Sequence, residues 1–101
     1  LVFKVAGKMF LLLPLDTEDL RFNAKCDPEE VEELRERYAC VLPGYHMNKN
    51  HWNTIIVDGS VSSAQIREWI DKSYELVVDS LPVKVREQLR GKKEVKKGKK
   101  Q

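Results

Sequence analysis

Gly44-Tyr45-His46-Met47-Asn48-Lys49-Asn50-His51-Trp52-Asn53-Thr54 runs from a chain break at Pro43-Gly44 into the apolar residues Ile55-Ile56-Val57. Asn53 to Val57 has the β-branched composition of a strand and is closed by Asp58-Gly59; Tyr45 to Met47 reads as its short partner. Between the two lie amide, ammonium, imidazole and indole groups on a connection, where a rigid scaffold commonly presents binding residues. The rest of the chain has to supply a sheet to extend this strand pair and helices to cover it.

Upstream, Leu1 to Val5 and Met9 to Leu13 are apolar runs separated by Ala6-Gly7-Lys8, and Gly7 tolerates the positive φ that a tight turn requires, so a hairpin is expected. Leu20 to Lys25 alternates at period two, which predicts a strand with Leu20, Phe22 and Ala24 buried and Arg21, Asn23 and Lys25 in solvent. Asp27-Pro28-Glu29-Glu30 has the form of a helix start: Asp27 as cap, Pro28 in the first position and Glu30 reaching back. That helix should run to about Tyr38, with Val31, Leu34 and Tyr38 on its apolar stripe and Glu29, Glu32, Glu33 and Glu36 around the rest.

Downstream, a long helix is predicted from Ser62 or Ser63 to about Ser80, burying Ile66, Trp69, Ile70, Ser73, Val77 and Leu81. Pro82 restarts a shorter helix carrying Val85 and Leu89, which Gly91 ends. This order of elements is α+β, an antiparallel sheet packed by helices, in one domain over residues 1–90 followed by a disordered lysine-rich tail over 91–101.

The 101 residues, 42% hydrophobic and 34% charged, suit one packed domain. The apolar run at Met9 to Leu13 is far shorter than the roughly 20 residues that span a bilayer, so no membrane is expected as partner. Cys26 and Cys40 lack zinc or redox spacing and read as reduced thiols; with no leader pattern visible, the cytoplasm is the expected location. Net charge is +2, yet residues 90–101 carry seven cations against Glu94, which is +6 and leaves −4 for residues 1–89. The overall basicity belongs to the tail.

The run Gly44 to Thr54, whose Met47-Asn48-Lys49-Asn50-His51-Trp52 core is its specific part, together with Asp58-Gly59 and the Ile66 to Pro82 helix, closely resembles the MmcQ/YjbR family of bacterial proteins. The resemblance implies a CyaY-like (frataxin-like) two-layer fold and a double-wing mode of double-stranded DNA binding. It also implies a helix before the first strand, which the residues given do not contain.

If the 48–54 connection is a wing, Lys49 neutralises a phosphate, Asn48, His51 and Asn53 hydrogen-bond to phosphate, sugar or base edges, and Trp52 is an anchor or stacking surface. The alternative is structural: Asn48 capping a turn, Trp52 in the core, His51 tying the loop down. Lys4, Lys8, Arg21 and Lys25 are a second set of expected nucleic-acid contacts, weighed against the ordinary role of strand cations in solvating a face or protecting an edge. The tail is a third, nonspecific source of attraction.

Metal binding in the frataxin manner would draw on His46, His51, Cys26, Cys40 and the acidic helix, but no metal-ligand spacing is present and no cofactor is expected. There is no nucleophile elbow or phosphate-cradling glycine loop; His51 with Asp58 is the one base-and-orienter pairing that suggests itself, and no catalytic residue is expected. The protein is expected to be a monomer that binds DNA. A protein-interaction or regulatory module using the same loop and the acidic helix is the alternative, with metal or small-ligand binding as a third.

Overall fold

The turn that opens the chain places both Ala6 (φ 48°) and Gly7 (φ 80°) in the left-handed region. This is the signature of a two-residue type I′ turn, whose twist matches that of the strands it joins. In the computed structural model, which describes residues 1–45 and 47–90, the turn connects β1 (Val2–Val5) and β2 (Lys8–Leu12). The order continues with β3 (Arg21–Lys25), α1 (Val31–Arg37), β4 (Val41–Pro43), β5 (Trp52–Ile56) and α2 (Ser63–Asp79), then a further helix, α3, over residues 83–90. The lysine-rich tail and His46 lie outside the described residues.

All neighbouring strands are antiparallel, in the order β1-β2-β3-β5-β4. Side chains alternate across a strand, so the register sorts residues onto two faces. Phe22, Ala24, Ile55 and Val41 lie on one face and form the main core with Cys40 and Trp69, against which Leu34, Tyr38, Ile66 and Ile70 pack. Val5, Val77 and Val78 make a second cluster with Phe10, Tyr74 and Leu89. Both α1 and α2 therefore cover the same face, and the fold is a two-layer α+β sandwich whose opposite sheet face carries no helix among the described residues.

The stripe expected on α2 is the one it buries, and Ser62 caps it by accepting a 3.1 Å hydrogen bond from the Gln65 amide. Three other expectations are corrected. Asp27 does not cap α1: its carboxylate accepts from the Glu29 amide at 2.9 Å in a turn, and the helix begins at Val31 without a side-chain cap. The partner of β5 is Val41–Pro43, not Tyr45 to Met47. Asn23 is buried and Leu20 is 58% exposed, the reverse of the simple alternation, because Asn23 sits opposite Thr54 in the sheet and its Oδ1 accepts the Thr54 hydroxyl.

Phe3 pairs with Leu11 and Lys4 with Met9, leaving Phe10 as the extra residue of a β-bulge. The bulge is matched to α2, since the Phe10 ring meets Tyr74 edge-on at 5.2 Å. The same region is where the β2–β3 ladder, paired only at Leu11↔Ala24 and Leu12↔Asn23, parts. There the Ser73 hydroxyl bridges the two backbones, accepting from the Lys25 amide at 2.8 Å and donating to the Phe10 carbonyl at 2.5 Å. A serine in an otherwise apolar stripe thus replaces a missing rung of the sheet, satisfying two groups that burial would otherwise penalise.

Two stability changes follow. Ala6→Asn should raise the unfolding free energy by roughly 0.5 to 1 kcal/mol in a denaturant titration, since asparagine accepts the left-handed conformation more readily than alanine; a loss of stability would contradict the turn assignment. Ser73→Ala should lower it by about 2 to 4 kcal/mol by orphaning two backbone groups, with hydrogen exchange at Lys25 accelerating beyond the change at more distant amides.

Candidate functional site

The connection between β4 and β5 is held from below by a single guanidinium. Arg35, one of two cations on α1, donates through Nε to Asn53 Oδ1 at 2.7 Å and through Nη2 to the Lys49 and Trp52 carbonyls, the latter at 3.3 Å. Asn53 returns the attachment by donating Nδ2 to the Val31 carbonyl at 3.3 Å, so helix, strand and loop share one polar junction. The loop is also folded on itself: Asn48 Oδ1 accepts from the Asn50 amide at 2.9 Å and the Asn48 carbonyl from the His51 amide at 3.1 Å. At its far end the His51 carbonyl accepts from the Cys26 amide at 2.8 Å.

Gly44 marks the loop's other base. A Cβ there would lie 2.8 Å from Trp52 Cβ and 2.9 Å from the Trp52 carbonyl oxygen, so the backbones approach more closely than any side chain permits. The Gly44 amide uses this approach to donate to the Trp52 carbonyl at 3.1 Å.

These contacts divide the expected site residues. Trp52, Asn53 and Thr54 are buried, and Asn53, at 2% exposure, has its amide committed to Arg35 and Val31. The expectation that Trp52 and Asn53 offer their side chains to nucleic acid is corrected: in this structure they hold the loop. Asn48, Lys49 and His51 are exposed along the loop's outer side. His51 makes no hydrogen bond with Asp58, whose carboxylate instead accepts from the Ser60 amide at 2.9 Å; the Ser60 side chain first, and this amide second, draw the Asp58 carboxyl below its usual range. Asn48 does use its side-chain oxygen to close a turn.

The strand cations also divide. Lys4 pairs with Met9, Lys25 with Trp52 and Arg21 with Ile56, and strand alternation puts all three on the helix-free face, whereas Lys8 pairs with Val5 and belongs to the hairpin end of the opposite face. Arg21 is engaged by Asp19 through bonds of 2.6 and 2.7 Å, which hold the Asp19 carboxyl below and the Arg21 guanidinium above their usual ranges. Lys4, Lys25 and Lys49 have no carboxylate within ion-pair distance among the described residues. Glu32, Glu33 and Glu36 ride on α1, over the other face. Among the described residues no group of three or more His, Cys, Asp and Glu is arranged to hold a metal ion, and no helix is long and apolar enough to cross a membrane.

Comparison with known proteins returns relatives in sequence and in overall fold. A family model described as YjbR matches residues 1–76, and the chain belongs to the YjbR family. It is 42% identical over 86 residues to the uncharacterized protein YjbR of Escherichia coli K12, covering 85% of this chain and 73% of that one. It is 39% identical over 84 residues to the uncharacterized protein YbdF of Escherichia coli O157:H7, where it spans 66% of the relative's length and 79% of its own. The crystal structure of Deinococcus radiodurans DR2400, a DUF419 domain, superposes with a TM-score of 0.75 at 37% identity, over 81% of this chain and 61% of that one.

The residue that sequence reasoning missed is Arg35, which the pattern of α1 places on an exposed-looking position between glutamates. Its role predicts that Arg35→Lys, which keeps the charge but not the planar fork, will lower stability by about 1 to 3 kcal/mol through the unpaired Asn53 oxygen. Amide exchange at residues 48–52 should rise in step; unchanged exchange there would show that the loop is held by other means.

Proposed function

We propose that this protein binds DNA through the helix-free face of its sheet and the outer side of the 48–51 loop, by neutralising phosphates and with modest sequence preference. The observation that carries the reading is the separation of charge by strand register: Lys4, Arg21 and Lys25 share the helix-free face while the carboxylates of α1 belong to the other. A domain whose residues 1–89 sum to −4 attracts a polyanion only if it is polarised in this way.

In this reading Lys4, Lys25 and Lys49 meet phosphates as point charges, and Asn48 and His51 add hydrogen bonds to phosphate or sugar. Arg21, already engaged by Asp19, contributes less. Lys8, on the opposite face by register, contributes little except through the hairpin tip. The role is one of binding in the cytoplasm by a monomer, not of catalysis. The polar, turn-rich loop favours backbone contact over base reading, since its amides are largely spent in holding its own shape.

The test is a salt titration of duplex binding, with the full chain and with a chain ending at Arg90. Replacing one phosphate-contacting lysine should reduce the slope of log K against log salt by about 0.9, and Lys4→Ala, Lys25→Ala and Lys49→Ala together by about 2.7. The slope change should persist in the shortened chain. If shortening abolishes binding and the three lysines leave the slope unaltered, recognition by the domain is refuted and only the tail attracts DNA.

A further inference from the structure

Between α1 and α2 the sheet is left partly open. A cleft of about 250 Å³ lies there, floored by Ile55 and Val41 and walled by Leu34 from α1 and by Trp69 and Leu76 from α2. Its size and apolar lining suit a compact organic group of one ring or a short chain, buried at one end and held in orientation by polar groups at the mouth.

The mouth is acidic. Asp27, Glu30, Glu75 and Asp79 line the cleft, against Lys25 and Lys72 as the cations among its lining residues. Both lysines are directed to other duties: Lys72 reaches Glu68, outside the cleft, at 3.7 Å, and strand register assigns the Lys25 side chain to the opposite face of the sheet. Asp79 has a cation of its own in Arg90 at 3.7 Å, which leaves Asp27, Glu30 and Glu75 as carboxylates without an ion-pair partner among the described residues. Arg35 is not among the residues that line the cleft, and its guanidinium is spent on Asn53 and the Lys49 and Trp52 carbonyls.

We propose that this cleft is a binding site for a small amphipathic organic cation, a primary amine bearing an aromatic or short aliphatic body, with the body between Leu34, Ile55, Trp69 and Leu76 and the ammonium at Asp27 and Glu30. The field inside agrees with a cationic guest. The Cys26 thiol, which lines the same cleft, is pushed up to about 11 by burial first and then by Glu30 and Asp27, with Arg35 opposing. A neutral thiol beside an apolar floor adds a soft, uncharged surface to the guest's body rather than a competing anion. An anionic ligand would meet unscreened carboxylates, and a purely apolar one would leave them unused.

Three compounds of one shape separate these cases: 2-phenylethylammonium, neutral 2-phenylethanol and anionic phenylacetate, each titrated into the full chain while amide shifts are followed. The ammonium should give saturable shifts at Ala24 to Cys26, Ile55 and Trp69 to Leu76, binding about fivefold more tightly than the alcohol, the ratio expected for one solvent-exposed ion pair of roughly 1 kcal/mol. Phenylacetate should bind more weakly than either. The surface pair Asp27→Asn with Glu30→Gln should bring the ammonium down to the level of the alcohol without altering the fold, and Leu76→Trp, with its melting curve confirming that it is folded, should abolish all three by filling the space. Equal affinity for the three compounds, shifts centred away from the cleft, or no saturation through the millimolar range each overturns the proposal. The site is on the face opposite Lys4 and Arg21, so its failure leaves the DNA reading as it stands, and failure of that reading leaves this one.

Discussion

A single guanidinium joins a short helix, an interior strand and a loop. Arg35 links α1, only seven residues long, to β5 through Asn53 and the Trp52 carbonyl, and to the preceding loop through the Lys49 carbonyl. An isolated helix of two turns is not stable in water, so α1 depends on this junction and on the burial of Val31, Leu34 and Tyr38. Lysine would supply the charge without the fork that reaches an amide oxygen and two carbonyls at once. The loop inherits its shape from the helix, although the two are more than ten residues apart in sequence.

The elements easiest to read from the sequence are those whose signal is local. The Ala6-Gly7 turn, the Ser62 cap and the stripe from Ile66 to Leu81 each follow from spacing within a few residues. What escapes is the set of polar residues that face inward. Asn23, Asn53 and Thr54 look like solvent positions, yet each is nearly inaccessible because its partner comes from a different strand or from α1. Periodicity registers polarity and cannot register that a polarity is already satisfied. The choice of Val41–Pro43 over Tyr45 to Met47 as partner for β5 is equally nonlocal, since it turns on the close approach of Gly44 to Trp52. Of the candidate site, the exposed loop residues Asn48, Lys49 and His51 are legible as such, the interior position of Trp52 is one of two readings the sequence leaves open, that of Asn53 is not legible, and Arg35 hides in a run of glutamates.

Net charge is a poor guide to this domain because both signs are sorted by geometry. Strand alternation sends Lys4, Arg21 and Lys25 to one side, and the helices carry their carboxylates on the other. The same sorting that offers a polyanion a cationic surface leaves the mouth of the cleft between α1 and α2 negative. One sheet thus separates two electrostatic environments, with Asn53 and Arg35 joined on the helical side.

The two tryptophans fall on either side of the sheet. Trp52 shares its face with Lys25, at the base of the loop, and Trp69 lies in the core beneath α2, edge-on to Tyr38 at 5.0 Å. Both are buried, at 8% and 7% exposure. The molecule therefore carries one tryptophan for each layer, and replacing either by phenylalanine leaves tryptophan emission, excited at the red edge where the tyrosines do not absorb, that reports on the other alone. Events at the loop and events in the helical layer can be followed by light in the same protein, with no label attached.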